Sequence, residues 1–318
     1  MMTTSPARSD HFDGVDLAAE LGRLTSPRRV STSAPDRTTY ARDLWSRGLL
    51  GVRAGDPAPY PPDAVVWPTS TEEVQAIVRF AASHKIPIVP FGAGSGVCGG
   101  TLPVRGGIVV DVKRMRRRLA LDADTLTVRY EAGIVGEHLE HDLNTRGYTL
   151  GHFPSSIMCS TLGGWLAARS AGQMSTRYGK IEDMVRSMEV VTGAGEVLET
   201  GDGASDGPGA GIDLTQLLVG SEGTLGIITR ATLAVRPLPE ARLLRGFRFA
   251  RVESGCEAIR RLLQRGLRPS VVRLYDELDT AMQRWSRRKE GRGHAPSGGD
   301  DSDDGAGDPA LLARLAAA

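Results

Sequence analysis

The chain has 318 residues, of which 39 are Lys or Arg and 38 are Asp or Glu, giving a formal net charge of +1. That balance offers no electrostatic ground for binding nucleic acid or an anionic membrane. With 40% hydrophobic and 24% charged residues it has the make-up of a soluble protein of about two domains.

Cys98, Cys159 and Cys256 are too scattered for a disulfide framework or a zinc site, which points to a reducing compartment. No apolar run approaches the roughly 20 residues of a membrane span. Met1–Phe12 lacks the apolar core of a signal peptide, so a cytoplasmic location is expected.

Residues 1–62 read as a polar leader with helical pieces at Asp16–Leu24 and Tyr40–Trp45. Ala64–Trp67 reads as a strand. Ser70 and Glu73 have capping-box spacing, and Val74, Ile77, Val78 and Ala81 recur at helical spacing behind them. Strands are expected at Ile86–Phe91 and Ile108–Val112. The basic run Arg114–Arg118 reads as a solvated turn. Leu126, Val128 and Tyr130 alternate with polar residues as in a half-buried strand.

Val135, Leu139 and Leu143 stripe a helix that ends near Gly147. Gly151–Arg186 is irregular. Met188–Thr192 and Glu196–Leu198 read as strands joined by Gly193-Ala194-Gly195, Gly201–Gly211 as a mobile loop, and Ile227–Val235 as a strand. Beyond Pro237 and Pro239 the pattern restarts: strand Leu244–Phe249, helix Cys256–Leu263, strand Ser270–Leu274. Residues 286–308 read as disordered, and Leu311–Ala318 begins something helical.

Three loops carry the chemistry. The first, Pro90-Phe91-Gly92-Ala93-Gly94-Ser95-Gly96, follows a strand. Glycines there let backbone N–H groups converge on a diphosphate. A Rossmann loop needs a helix next, and Gly99, Gly100 and Pro103 forbid one. A phosphate cradle of another kind, or a plain turn, remains. The second is Pro154-Ser155-Ser156 with Ser160-Thr161-Leu162-Gly163-Gly164. It offers hydroxyls and N–H groups but few ionisable side chains, which suits a bound polar ring system. The third, Gly220–Gly226, reads as a turn or as backbone passing close to something flat. Three such loops suggest one large ligand touched at several places. His84, His138, His141 and His152 are each conceivable bases, with a solvated face favoured for His138 and His141. No HExxH or Cys/His cluster occurs, so no metal is expected.

In this order the motifs resemble the FAD-binding domain shared by vanillyl-alcohol oxidase and p-cresol methylhydroxylase. Pro62–Pro68 is similar to its entry strand, Pro90–Val97 to its pyrophosphate loop, and Pro154–Gly164 to the segment meeting the isoalloxazine. "GSEGTLGIIT" at Gly220–Thr229 is similar to one of its most specific signatures. "STLGGWLAARSAG" (Ser160–Gly172), "YGKIEDMV" (Tyr178–Val185) and "RPSVVRLYD" (Arg268–Asp276) resemble the alkylglycerone-phosphate synthases most. The D-2-hydroxyacid dehydrogenases are the second subgroup.

The resemblance implies an α+β fold. Residues 63–239 would form a two-subdomain FAD-binding domain of the p-cresol methylhydroxylase type, and 240–318 the start of an α/β substrate cap. It implies FAD lined by Pro90, Phe91, Gly92, Ala93, Gly94, Ser95, Gly96 and Val97; by Pro154, Ser155, Ser156, Ser160, Thr161, Gly163 and Gly164; by Ala167, Ala168, Arg169 and Ser170; and by Glu222, Gly223, Thr224, Leu225, Gly226, Ile227 and Ile228. No histidine lies in the first loop, so the FAD would be non-covalent. Arg273 falls where a substrate-side arginine would bind a small anionic substrate. The resemblance implies either hydride transfer to the flavin or exchange of an acyl chain for an alkoxy group. The Tyr- and His-bearing catalytic motifs are expected beyond Ala318, which makes the chain read as a fragment. A non-catalytic FAD-binding module is the alternative of another class, and a homodimer is allowed.

Overall fold

Ser70 lies in extended backbone, and its hydroxyl accepts the Glu73 N–H, starting α4 (Thr71–Ser83) where the capping spacing places it. The box is only half closed. The Glu73 carboxylate instead accepts the Thr69 N–H and the Arg29 guanidinium.

The computed structural model of the chain describes residues 15–56, 58–201 and 211–282. The expected disorder at 286–308 and the start of a helix at Leu311–Ala318 lie outside these residues, as does nearly all of the Gly201–Gly211 loop. Two units are present, Met1–Leu238 and Pro239–Ala318.

The first unit mixes helices with sheets. It opens with α1 (Leu17–Leu24), β1 (Val30–Ser31), α2 (Ala34–Thr39), α3 (Ser46–Ala54) and β2 (Ala64–Val66), and continues past α4 to β3 (Ile88–Phe91) and β4 (Ile108–Asp111). These strands form a sheet in the order β1-β2-β4-β3, with β1 antiparallel to β2 and the rest parallel. β2 and β4 are buried throughout, as expected for strands covered on both faces. Val74, Ile77, Val78 and Ala81 of α4 pack with Leu17, Leu21, Ala64, Val66, Ile108 and Val110. Each fully buried Val, Leu or Ile contributes about 1.5–3 kcal/mol. The segment before Asp63 thus supplies both a strand and core residues.

Next come β5 (Arg118–Asp122), β6 (Thr127–Glu131), α5 (Gly136–Asn144), β7 (Tyr148–Thr149), α6 (Leu162–Ala167), α7 (Ser175–Tyr178), α8 (Ile181–Met184), β8 (Val185–Thr192), β9 (Val197–Glu199), α9 (Leu214–Leu218), β10 (Gly226–Ala234) and β11 (Arg236–Pro237). β5-β6-β10-β8-β9 form an antiparallel sheet, and β11 pairs with β7. Tyr130, Leu139, Leu143, Leu162, Leu166, Ile181, Met188 and Leu233 fill its core. β10 contributes to both cores: Ile227 packs with the α4 cluster, and Ile228, Ala231 and Leu233 pack with the α6 cluster.

Four local expectations change. Tyr40–Trp45 is not helical, because the Asp43 carboxylate accepts the Trp45 N–H and so competes with a helical turn. The Arg114–Arg118 turn is anchored by fully buried Met115, and its end begins β5. Gly151–Arg186 holds three short helices. In the second unit, α10 (Val252–Gln264) forms around the expected helix. Leu244–Phe249 and Ser270–Leu274, however, are not strands. A strand needs a partner ladder, and the described residues of this unit supply none.

Candidate functional site

The first glycine loop leaves β3 and is held from two sides. From the N-terminal side, the Leu44 N–H donates to Gly96 O at 2.9 Å and the Gly99 N–H donates to Asp43 Oδ2 at 2.7 Å. From β4, the Lys113 ammonium donates to Gly92 O at 2.7 Å. The N–H groups of Ala93, Gly94, Ser95 and Gly96 find no acceptor among the described residues. Gly94 has φ +61°, and a Cβ there would stand 2.6 Å from the Phe91 ring. Only glycine fits that position.

The second loop is folded on itself. The Trp165 indole N–H donates to Ser160 Oγ, and Ser160 Oγ donates to Ser156 O, each at 2.8 Å. Thr161 Oγ1 caps α6 by accepting the Gly164 N–H. Buried Gly163 lies against Ala132, where a Cβ would come within 3.0 Å.

The third loop is tied to the end of α6: the Gly220 N–H donates to Leu166 O and the Glu222 N–H to Ala167 O. Glu222 and Gly223 both have positive φ, +51° and +76°.

These three segments meet. A Cβ on Gly92 would collide with Thr161 Oγ1. One on Gly223 would lie 3.0 Å from Pro90 Cγ, and one on Gly100 would lie 2.9 Å from Glu222 Oε2. The first loop therefore touches both of the others with almost no clearance. In the same three segments, Val97, Met158 and Leu225 are exposed at 61%, 73% and 47%, apolar side chains open to the face of a bound ring.

Some expected lining residues are committed elsewhere. Ile227 and Ile228 are buried in the two cores. Arg169, at φ +49°, turns back to donate to Gln216 O and Val219 O at the end of α9. That is a helix-end clasp. Ser170 Oγ lies 3.1 Å from the Nε2 of His152, and Ser160 Oγ is used internally. At these positions a ligand is left with backbone rather than side chain.

His152 is 1% exposed, lies edge-on to Trp165 at 4.7 Å, and has no partner for its Nδ1. Burial pushes its pKa down to about 4, opposed by Glu182, so it is neutral at pH 7.

Arg273 belongs to the second unit. The sequence pattern suggests a buried arginine, but the side chain is exposed, and its Nη1 donates to Tyr275 Oη at 3.3 Å. The alternative ion pair with Asp276 or Glu277 is not formed. Without a strand there is no ladder to force the guanidinium inward.

Sequence reasoning missed Tyr40, Asp43 and Lys113. With Arg42, Phe91, Ala93 and Gly94 they border a cavity of about 270 Å³ against the first loop. The Tyr40 hydroxyl donates to Asp111 Oδ2 at 2.5 Å and accepts the Trp67 indole N–H. Burial, then Asp111, raises the Tyr40 pKa. The only local signal was an Asp and an aromatic in a segment of otherwise leader-like composition.

Residues 62–201 match the family model described as an FAD binding domain. An alkyldihydroxyacetonephosphate synthase of Trypanosoma brucei brucei is 37% identical over 275 residues, covering 83% of this chain and 43% of its own. Residues 62–201 thus carry an FAD-binding domain, similar to that of the FAD-linked oxidases. A solved structure of alkyldihydroxyacetonephosphate synthase superposes with a TM-score of 0.65 at 38% identity, over 70% of this chain and 40% of that one. The glycolate oxidase subunit GlcD of Bacillus subtilis is 31% identical over 262 residues, covering 82% of this chain and 53% of its own. The chain thus spans about half the length of these relatives.

The residues present fit FAD. Unpaired N–H groups at 93–96 suit its diphosphate, and loops poor in ionisable side chains suit its rings. Among the described residues, no three His, Cys, Asp or Glu side chains gather to hold a metal. No helix there is long and apolar enough to cross a membrane.

Proposed function

We propose that the protein is a flavoenzyme of the alkylglycerone-phosphate synthase type, acting on a small anionic hydroxy or acyl-glycerone substrate. The contact of Gly92 with Thr161 and of Gly223 with Pro90 carries this reading, because it makes one crease from the three loops that match the family's motifs. The crease supplies mainly backbone donors and apolar side chains, with the Glu222 carboxylate beside Gly100 and the Lys113 ammonium on Gly92 O as its charged groups. In it the chain binds and orients, and bound FAD supplies the reactive chemistry.

Within the first unit, the Ala93–Gly96 amides would hold the diphosphate. Thr161, Gly164 and Gly223 would let the backbone lie close to the rings, and Val97, Met158 and Leu225 would keep water off them. Neutral His152 packs edge-on against Trp165 of α6, whose indole N–H is held by Ser160 Oγ. The FAD is held without a covalent bond. In the second unit, exposed Arg273 offers a planar pair of donors for a phosphate or carboxylate.

A second reading, a D-2-hydroxyacid dehydrogenase, is favoured by the 31% identity to a glycolate oxidase subunit. Anaerobic mixing distinguishes the two. D-lactate or glycolate bleaching the flavin supports the dehydrogenase. Exchange of acyl for alkyl on glycerone phosphate without bleaching supports the synthase. FAD binding with neither result supports a non-catalytic FAD module.

A further inference from the structure

Lys113 touches the first glycine loop from behind. Its Nζ donates to Gly92 O at 2.7 Å and to Asp111 Oδ2 at 2.6 Å. It stands 5.0 Å from the centroid of the Phe91 ring and 5.5 Å from that of Tyr40. Asp111 is fully buried and also accepts the Tyr40 hydroxyl. The side chain of Lys113 is 35% exposed and forms part of the cavity wall beside Ala93 and Gly94.

The geometry has a direction. A carbonyl pinned on one side of the loop fixes the peptide plane that follows it, and with it the amides of the next residues. The ammonium pulls the Gly92 carbonyl toward β4, and the four N–H groups after it are left unpaired. Two aromatic faces and a buried carboxylate hold the ammonium in place, and a cation between such partners has little freedom.

We propose that Lys113 is a positioning residue for the diphosphate of the bound nucleotide, an inference that rests on the FAD reading. It pre-organises the Ala93–Gly96 amides and adds positive charge beside them. Its pairing with Asp111 is the means of holding it, and not its whole role.

The test uses the 318-residue chain freed of flavin, with FAD affinity read by fluorescence quenching, ADP as competitor, and melting of the flavin-free protein. Lys113→Met leaves the buried Asp111 without its counter-ion and is expected to melt earlier, so the deciding variant is Lys113→Met with Asp111→Asn, which removes both charges. The expected result is FAD binding at least tenfold weaker, ADP competition weakened by a similar factor, and a flavin-free melting temperature near that of wild type. Wild-type affinity for FAD and ADP in the double variant would show Lys113 to be only the counter-ion of Asp111, and overturns the inference. If the wild-type chain fails to quench flavin fluorescence, the FAD reading itself falls, an outcome distinct from the first.

Discussion

Gly92 and Thr161 lie so close that a Cβ on the first would collide with the hydroxyl of the second. The same hydroxyl caps α6. One contact therefore joins the loop after β3, the start of α6 and the crease between them. Gly92→Ala should cost about 1–3 kcal/mol and weaken FAD binding. Adding Thr161→Ala removes the obstructing oxygen, so the double variant should be less damaged than the sum of the two single ones. Simple additivity in chemical denaturation would mean that the two residues are not in contact.

Asp43 ties the N-terminal segment to the same loop through Gly99 and Trp45. Each hydrogen bond to a charged group contributes roughly 1.5–3 kcal/mol. Asp43→Ala is therefore expected to lower FAD affinity by about tenfold or more, and Asp43→Asn by less, since one acceptor survives. Titration of flavin-free protein measures both. Unchanged affinity in Asp43→Ala would show that the loop stands without this tie.

His152 sets a pH dependence. Its pKa falls from 6.5 when unfolded to about 4 in the fold, because of burial. Between those values the unfolded chain binds more protons, so this contribution to stability is full above 6.5 and is lost as the pH falls toward 4. The total is about 3 kcal/mol at most. His152→Gln should be less stable at pH 7 yet lose less than wild type between pH 7 and pH 4 in urea unfolding. Parallel losses in the two proteins would rule out a buried neutral imidazole.

Glu140 works in the opposite sense. Burial raises its pKa, while the Thr149 hydroxyl and the Leu150 N–H, both donating to its carboxylate, oppose the rise. The stability tied to its proton is present below the unfolded value of 4.5 and is lost as the pH climbs through the raised folded value. Glu140→Gln should therefore melt at or above wild type at pH 7, with the gap narrowing below pH 4.5. A lower melting temperature at pH 7 would mean that the ionised carboxylate is the better partner.

Arg273 is exposed and lightly held, so replacing it should not disturb the fold. Arg273→Lys is expected to lower kcat/KM by on the order of tenfold or more, because an ammonium cannot form the planar fork. Flavin content should stay constant. Loss of FAD or full retained activity would each remove Arg273 from the substrate site.

The central strands of the first unit, the α4 cap and the three glycine loops were legible in the sequence because their signals are local. Alternation in Thr127–Glu131, the Ser70 cap and the glycines at 92, 94 and 96 each state their geometry within a few residues. What the sequence could not state is which loop meets which. Gly92 reaches Thr161, Gly99 reaches Asp43 across 56 positions, and Gly223 reaches Pro90. Contacts at such separations leave no periodicity, and only the packed sheets bring them together. The same packing decided the fate of individual side chains. Ile227 and Ile228 face opposite ways on β10, so each falls into a different core. Arg169 takes a left-handed turn that sends it to α9 instead of the crease. Lys113 sits beside a basic run that reads as solvated surface, but the short 3-10 turn Val112–Arg114 after β4 brings its ammonium to Gly92 O. Sequence determined which backbone could cradle a ligand, and the tertiary structure decided which side chains were free to face it, because burial and hydrogen bonding claim side chains only once the chain has closed on itself.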